Sequence, residues 1–450
     1  MSPKCNHERL QFDVSPHAVD AGFVRPPLAK RAAATTSSGR VPDRNILTAH
    51  THSESLFPGP LVLPADGLAI DPKEPPQSFR SWATEKLRNP VTRRRKTIYV
   101  APVPEIDKEL HSTVGKWTVP FVLQAPMKGG CNPPKAEQIR EYLEAFYHPL
   151  PVKILPAEVR FVPWSEGKAT KPSKQPQYIG LQVGNSVTRI TTRRCPDEVY
   201  PQQLGLNDIL DAAIDVLPDD AYALVMLTDH DLYEDEDDEF CCGRAYGSSR
   251  VAVVSSSRYH PLLDEVTGIE REHMWPFSHC EAYVQRMCRD AEPSGSNPKR
   301  RKTGLPLGPR ATETDSAMAP VIQAGLAAPS PTSSPTALWF SRMARTVAHE
   351  VGHCFCLAHC SYYACVMQGT GGIIEDMRQP PYLCLVCLVK LTRAVGDVEK
   401  GVDEVQLLIA RYTALAKFCE TWKRVAMFAA YGAWLGKRIE SLKATLASAE

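Results

Sequence analysis

The sequence predicts an α+β protein built as a mixed β-sheet with helices packed on it. Three observations predict this. Short β-branched and aromatic runs recur along the chain. Segments with apolar residues at i, i+3, i+4 and i+7 fall between them. Their order, β-α-β-β-α-β-β-α, interleaves strands and helices.

Residues 1–55 read as a disordered N-terminal tail, because AKRAAATTSSGR and the stretch around His50 and His52 lack hydrophobic periodicity. Residues 96–103 (KTIYVAPV) read as the first strand. Asn132 and Pro133 predict a helix start, followed by Ile139, Tyr142, Leu143 and Phe146 on one face. Residues 152–164, 178–183 and 187–192 are strand candidates. Leu206, Ile209, Leu210, Ala213, Val216 and Leu217 mark a second helix, ended by Pro218. Residues 222–228 (YALVMLT) have the uncharged character of a buried central strand, and 250–259 read as a weaker one at a sheet edge. Residues 290–335 are rich in Ser, Pro, Gly and Ala and predict a disordered insertion. Ser334 and Pro335 then start a helix reaching about residue 357. Residues 398–450 form a helical extension, with breaks expected at Gly432 and Gly436.

Composition narrows the function. Lys and Arg number 52 against 51 Asp and Glu, a net charge of +1 that argues against a general nucleic-acid binder. Runs of 18 apolar residues and an apolar signal segment are both missing, so the expectation is a cytoplasmic protein, neither secreted nor membrane-spanning. The basic block at 299–302 adds a possible nuclear address. The 14 cysteines in such a compartment read as thiols and metal ligands before disulfides.

The chemistry concentrates in residues 349–387. His349 and His353 lie four apart on a predicted helix, so both imidazoles project from one face and suit one tetrahedral zinc ion. Glu350 sits beside the first, within reach of a water on that ion. His359 follows six residues later and can join only if the chain turns back near residue 356. Cys360, Cys365, Cys384 and Cys387 form C-x4-C and C-x2-C pairs, the spacing of a closed structural zinc site.

This segment resembles the archaemetzincin family of zinc metallopeptidases, whose pattern is HExxHxxGxxHC-x4-C-x-M followed by C-x2-C. His349, Glu350, His353, His359, Cys360, Cys365, Met367, Cys384 and Cys387 fall on its positions. Residues 228–233 (TDHDLY), 250–259 and 275–280 are also similar, so the likeness spans roughly 55–393. The resemblance implies a metzincin-type mixed twisted sheet, an active-site helix, Met367 as a Met-turn beneath the metal, and two Zn²⁺ per chain. One position departs: Cys356 stands where the family has Gly, at a turn where glycine allows φ > 0. Helical periodicity would also let its thiol approach the metal as an alternative ligand or redox brake.

The resulting expectation is a peptidase domain over 56–397 acting on peptides, short ones above all, or on unfolded protein. Its parts are zinc on His349, His353 and His359, Glu350 as the base, and a structural zinc on the cysteines. Two other readings compete: a catalytically weak two-zinc peptide-binding protein, and a zinc-clamped nucleic-acid or scaffold module. Asp229, His230 and Asp231 read as structural, and the acidic residues 234–239 as a solvated loop that would favour basic peptides if it rims a cleft.

Overall fold

The computed structural model describes residues 5, 7, 9–41, 55–123, 131–164, 176–290, 317–329, 334–398 and 403–447. The strands are β1 (Thr97–Ala101), β2 (Glu105–Ile106), β3 (Val152–Ile154), β4 (Val159–Pro163), β5 (Tyr178–Val183), β6 (Ser186–Arg194), β7 (Gln202–Gly205), β8 (Ala221–Thr228), β9 (Asp231–Tyr233), β10 (Gly243–Tyr246) and β11 (Val251–Ser255). The principal helices are α1 (Ala136–Phe146), α2 (Leu206–Asp215), α3 (Glu281–Asp290), α4 (Ala319–Ala327), α5 (Pro335–Cys354), α6 (Leu385–Gly396), α7 (Glu404–Thr421) and α8 (Ala426–Ala447).

The strands form two sheets where the sequence suggested one. The first runs β10-β11-β8-β1-β3 and is parallel except for the antiparallel edge strand β10. The second runs β2-β4-β5-β6-β7-β9. Strand β8 is buried throughout, as its apolar run requires. Its side chains alternate between two cores. Ala223, Val225 and Leu227 join the large core containing α1 and α5 residues, while Leu224 and Met226 face the core shared with α2 and the second sheet.

Several expectations are corrected. Strand β11 is interior, paired on both sides, and the edge falls to β10. Four residues with Gly and Arg among them give too little pattern to announce a strand. Helix α1 starts at Ala136, where the Lys135 N–H donates to Gln138 Oε1 (3.0 Å), not at the Asn132-Pro133 pair. Helix α8 passes through Gly432 and Gly436 unbroken; the interruption lies between α7 and α8.

The N-terminal region is not featureless. Residues 17–21 and 28–33 are short helices, and Ala18, Phe23 and Ala32 are buried. This strap packs its few apolar side chains against distant residues, so it shows no periodicity of its own; His50 and His52 lie outside the described residues. Within the expected insertion, α4 buries Val321 and Ile322 and packs along α8. Residues 291–316, including the basic block 299–302, and residues 330–333 lie outside the described residues. Helices α7 and α8 contribute Tyr412, Phe418, Phe428 and Trp434 to the same core as α5, so the C-terminal helices pack into the domain.

Candidate metal centre and active site

Helix α5 ends at the site, and its end is tightly held. Tyr147 Oη donates to the Ala348 carbonyl (2.6 Å), and Trp82 Nε1 to the Phe355 carbonyl (2.8 Å). Cys356 then takes φ = 61°, and its N–H returns to the His353 carbonyl (2.8 Å). The chain thus makes the left-handed turn with a cysteine where glycine is the usual choice. Gln77 secures the turn twice: its Nε2 donates to the Cys356 carbonyl (3.0 Å), and its Oε1 accepts from Ala358 N–H (3.1 Å).

The turn brings His359 back to the other two histidines. One ring nitrogen of each lies within 4.8 Å of the others. His349 Nδ1 meets the Val366 carbonyl (2.6 Å) and His353 Nδ1 the Leu357 carbonyl (2.7 Å). A carbonyl only accepts, so both Nδ1 atoms carry hydrogen and both Nε2 atoms present lone pairs. Those two Nε2 atoms are 3.0 Å apart. Two lone pairs at this separation repel, and a cation between them removes the repulsion. Zn–N bonds of about 2.0–2.1 Å in tetrahedral geometry place two nitrogens about 3.3 Å apart, so the residues fit a zinc ion. Burial, then the neighbouring imidazoles, holds His349 well below the usual histidine range; burial and His359 bring His353 down to about 3. Neutral imidazole is the form that ligates a metal.

Residues that carried no sequence signal complete the centre. Glu74 Oε1 faces His359 Nδ1 at 3.4 Å. A Cβ on Gly369 would stand 2.7 Å from His359 Nδ1, so glycine there makes room for the ring. A Cβ on Gly352 would stand 2.5 Å from Met367 Sδ, so the fully buried Met367 packs directly under the helix that carries the histidines. Glu350 is buried on the cleft wall, and burial pushes its carboxyl up to about 8, opposed by Arg244. The cleft encloses about 1060 Å³ and is lined by the three histidines, β10, residues 238–239 of the acidic loop, and residues 370–376.

Cys356 does not join the histidine cluster. It is partly buried, packed against the core and on the lining of the same cleft, with Glu85, Arg88 and Lys390 as its charged neighbours, and burial raises its thiol. The approach to the metal suggested by helical periodicity fails because the helix has already ended.

Cys360, Cys365, Cys384 and Cys387 form a second, fully buried cluster. Cys360 Sγ and Cys384 Sγ are 3.5 Å apart, and Cys384 N–H donates to Cys365 Sγ (3.2 Å). Hydrogen bonds from Cys365, Cys384 and Cys387 hold the Cys360 thiol well below its usual range. Asp231 is a structural residue: it pairs with Arg258 Nε (2.8 Å), while His230 Nε2 meets the Val114 carbonyl (3.1 Å).

The segment holding both clusters is that of a metallopeptidase: residues 329–393 match the model of peptidase family M54. Human archaemetzincin-2 is 24% identical over 366 residues, 80% of this chain and 74% of the relative. Archaemetzincin from Pyrobaculum aerophilum is 36% identical over 52 residues, 12% of this chain and 34% of that one. The crystal structure of archaemetzincin from Methanopyrus kandleri aligns with TM-score 0.31 and 16% identity, covering 67% of this chain and 97% of that one. Over these stretches the chain is similar to the archaemetzincin family of zinc metallopeptidases. Among the described residues, no helix is long and apolar enough to cross a membrane.

Proposed function

We propose that the chain hydrolyses peptide bonds at the histidine cluster, with His349, His353 and His359 as ligands of a catalytic zinc and Glu350 as general base. The observation that carries this is the pair of Nε2 lone pairs facing each other at 3.0 Å, each fixed by a carbonyl behind it. A zinc ion bound there supplies Lewis acidity, polarising the scissile carbonyl and lowering the pKa of a bound water to about 7. Glu350 takes the proton from the attacking water and returns it to the leaving amine. Its burial beside the imidazoles keeps that proton transfer out of bulk solvent. Met367 serves as the apolar floor that fixes the two helical ligands, the role of a Met-turn.

A second zinc on Cys360, Cys365, Cys384 and Cys387 is structural, since four protein ligands leave no position for substrate. The substrates are short peptides or unfolded segments. Asp238 and Glu239 at the cleft rim favour those carrying basic residues.

A peptide-library screen with wild type and Glu350→Ala, with zinc quantified on the same samples, tests the reading. Products from wild type alone, with the same zinc content in both proteins, are expected. Equal product from both proteins would remove Glu350 as the base, and none from either would favour a peptide-binding protein.

A further inference from the structure

We propose that Cys5, His7 and Cys280 bind a metal ion of the zinc class, at a site separate from both clusters above. The three residues each offer a ligand atom within 4.8 Å of the others. Cys5 Sγ and Cys280 Sγ are 3.2 Å apart. That is far beyond the ~2.05 Å of a disulfide, and resembles the 3.5 Å between Cys360 and Cys384 in the buried cluster. His7 is 4% exposed, and its Nδ1 has no hydrogen-bond partner. An orphaned buried imidazole nitrogen costs free energy unless something occupies its lone pair or takes its hydrogen.

The ring is also held in place. It stacks on Phe277 with centroids 4.8 Å apart and meets the edge of His273 at 5.7 Å. The backbone sets the meeting of the two segments: Leu10 bridges Cys280, Gln11 N–H donates to the His279 carbonyl (2.7 Å), and Glu281 N–H to the Arg9 carbonyl (2.9 Å).

Charge fits as well. Binding a divalent ion releases one proton from each thiol, so two thiolates and a neutral imidazole around the ion sum to zero. A neutral centre suits the apolar lining of Leu61, Leu63 and Val284. Soft thiolates with one imidazole select zinc or a similar borderline ion over magnesium or calcium, and three ligands leave one position for water. The site fastens the N-terminal strap to the start of α3 and to residues 61–63. The next residues, Pro64, Ala65 and Asp66, line the cleft.

The test uses the full chain, loaded with zinc under a non-chelating reductant and desalted. Cys5→Ser, His7→Ala and Cys280→Ala should each carry one equivalent less zinc than wild type, and equal zinc in all four proteins overturns the proposal. A second measurement needs no variant: alkylation of the half-buried Cys5 in wild type, read by mass spectrometry alongside Cys384. Adding a chelator should raise Cys5 labelling by roughly tenfold or more while Cys384 stays protected. Labelling indifferent to chelator, or released only together with Cys384, counts against the site. Protection lifted by reductant instead of chelator would establish a Cys5–Cys280 disulfide and overturn it. Neither readout depends on peptidase activity, so this proposal and the proposed function fail separately.

Discussion

The histidine cluster and the cysteine cluster stand side by side in the chain, joined at His359 and Cys360, yet they are built on opposite principles. The three imidazoles are half-buried at the wall of a cleft, backed by carbonyls and by Glu74. The four thiols are sealed in the core, with Tyr382 stacked on Trp434 (4.3 Å) and Phe57 edge-on to both. Three imidazoles facing a cavity would leave a bound ion room for chemistry, whereas four thiols in a core would leave none. The two clusters are also mechanically linked. Cys360 N–H donates to the Met367 carbonyl (2.7 Å), so the segment that carries the thiols also holds the residue packed beneath helix α5.

The largest expected effect tests this division of labour from the structural side. Cys384→Ser should release one zinc and unfold the domain or lower its melting temperature sharply, since structural zinc sites contribute on the order of 10 kcal/mol. Zinc analysis and thermal melts check it. A stable, active variant with one zinc fewer would break the contrast between the clusters. Glu350→Gln probes the other side. It keeps the shape of the side chain but removes the base, so turnover should fall about 10²–10⁴-fold while melting temperature and zinc content stay at wild-type values. A variant that lost zinc as well would show that Glu350 also supports the ligands.

Much of this contrast was legible in the sequence, for a physical reason. Ligands on one helix must repeat at its period, which exposes His349 and His353, and thiolates sharing one ion come in close pairs. The supports were not legible, because each acts singly and from far along the chain. Glu74, Gln77 and Trp82 lie nearly 300 residues before the turn they hold, and nothing in their neighbours' spacing marks them. Gly369 reveals itself only when the His359 ring is placed against it. Strand β10 escaped for another reason: with none of its four residues buried, it has no buried face to read. The strap at 9–41 is the same case on a larger scale, since its apolar residues find their partners elsewhere.

A second kind of histidine sharpens the comparison. His230 and His260 are buried in the scaffold, and burial brings each down to about 4 from an unfolded value near 6.5. Between those values the unfolded chain binds more protons than the native one. Stability from this source is therefore complete above pH 6.5 and is lost as pH falls toward 4. Each group contributes about 1.4 kcal/mol per pH unit within that window, about 3 kcal/mol per unit together. Melting temperature should hold from pH 8 to 7 and drop between pH 6 and 5, and the drop should shrink in His230→Gln. A flat profile through pH 5 would mean that these rings accept protons without cost, unlike the rings at the centre.

The smallest expected effect concerns Cys356, which occupies the turn between the two clusters. A β-carbon at φ = 61° costs on the order of 1–2 kcal/mol, and Cys356→Gly removes that cost. Glycine's freedom in the unfolded chain returns about 0.5–1 kcal/mol of it, and the packing of the thiol against the core is lost. The net change should stay within about 1 kcal/mol, and turnover should match wild type under reducing and oxidising conditions alike. The turn is held by Gln77 through the backbone carbonyl of residue 356, a contact that glycine preserves. A variant whose activity rose only under oxidising conditions would instead place the wild-type thiol in control of the histidine cluster, whose cleft Cys356 also lines.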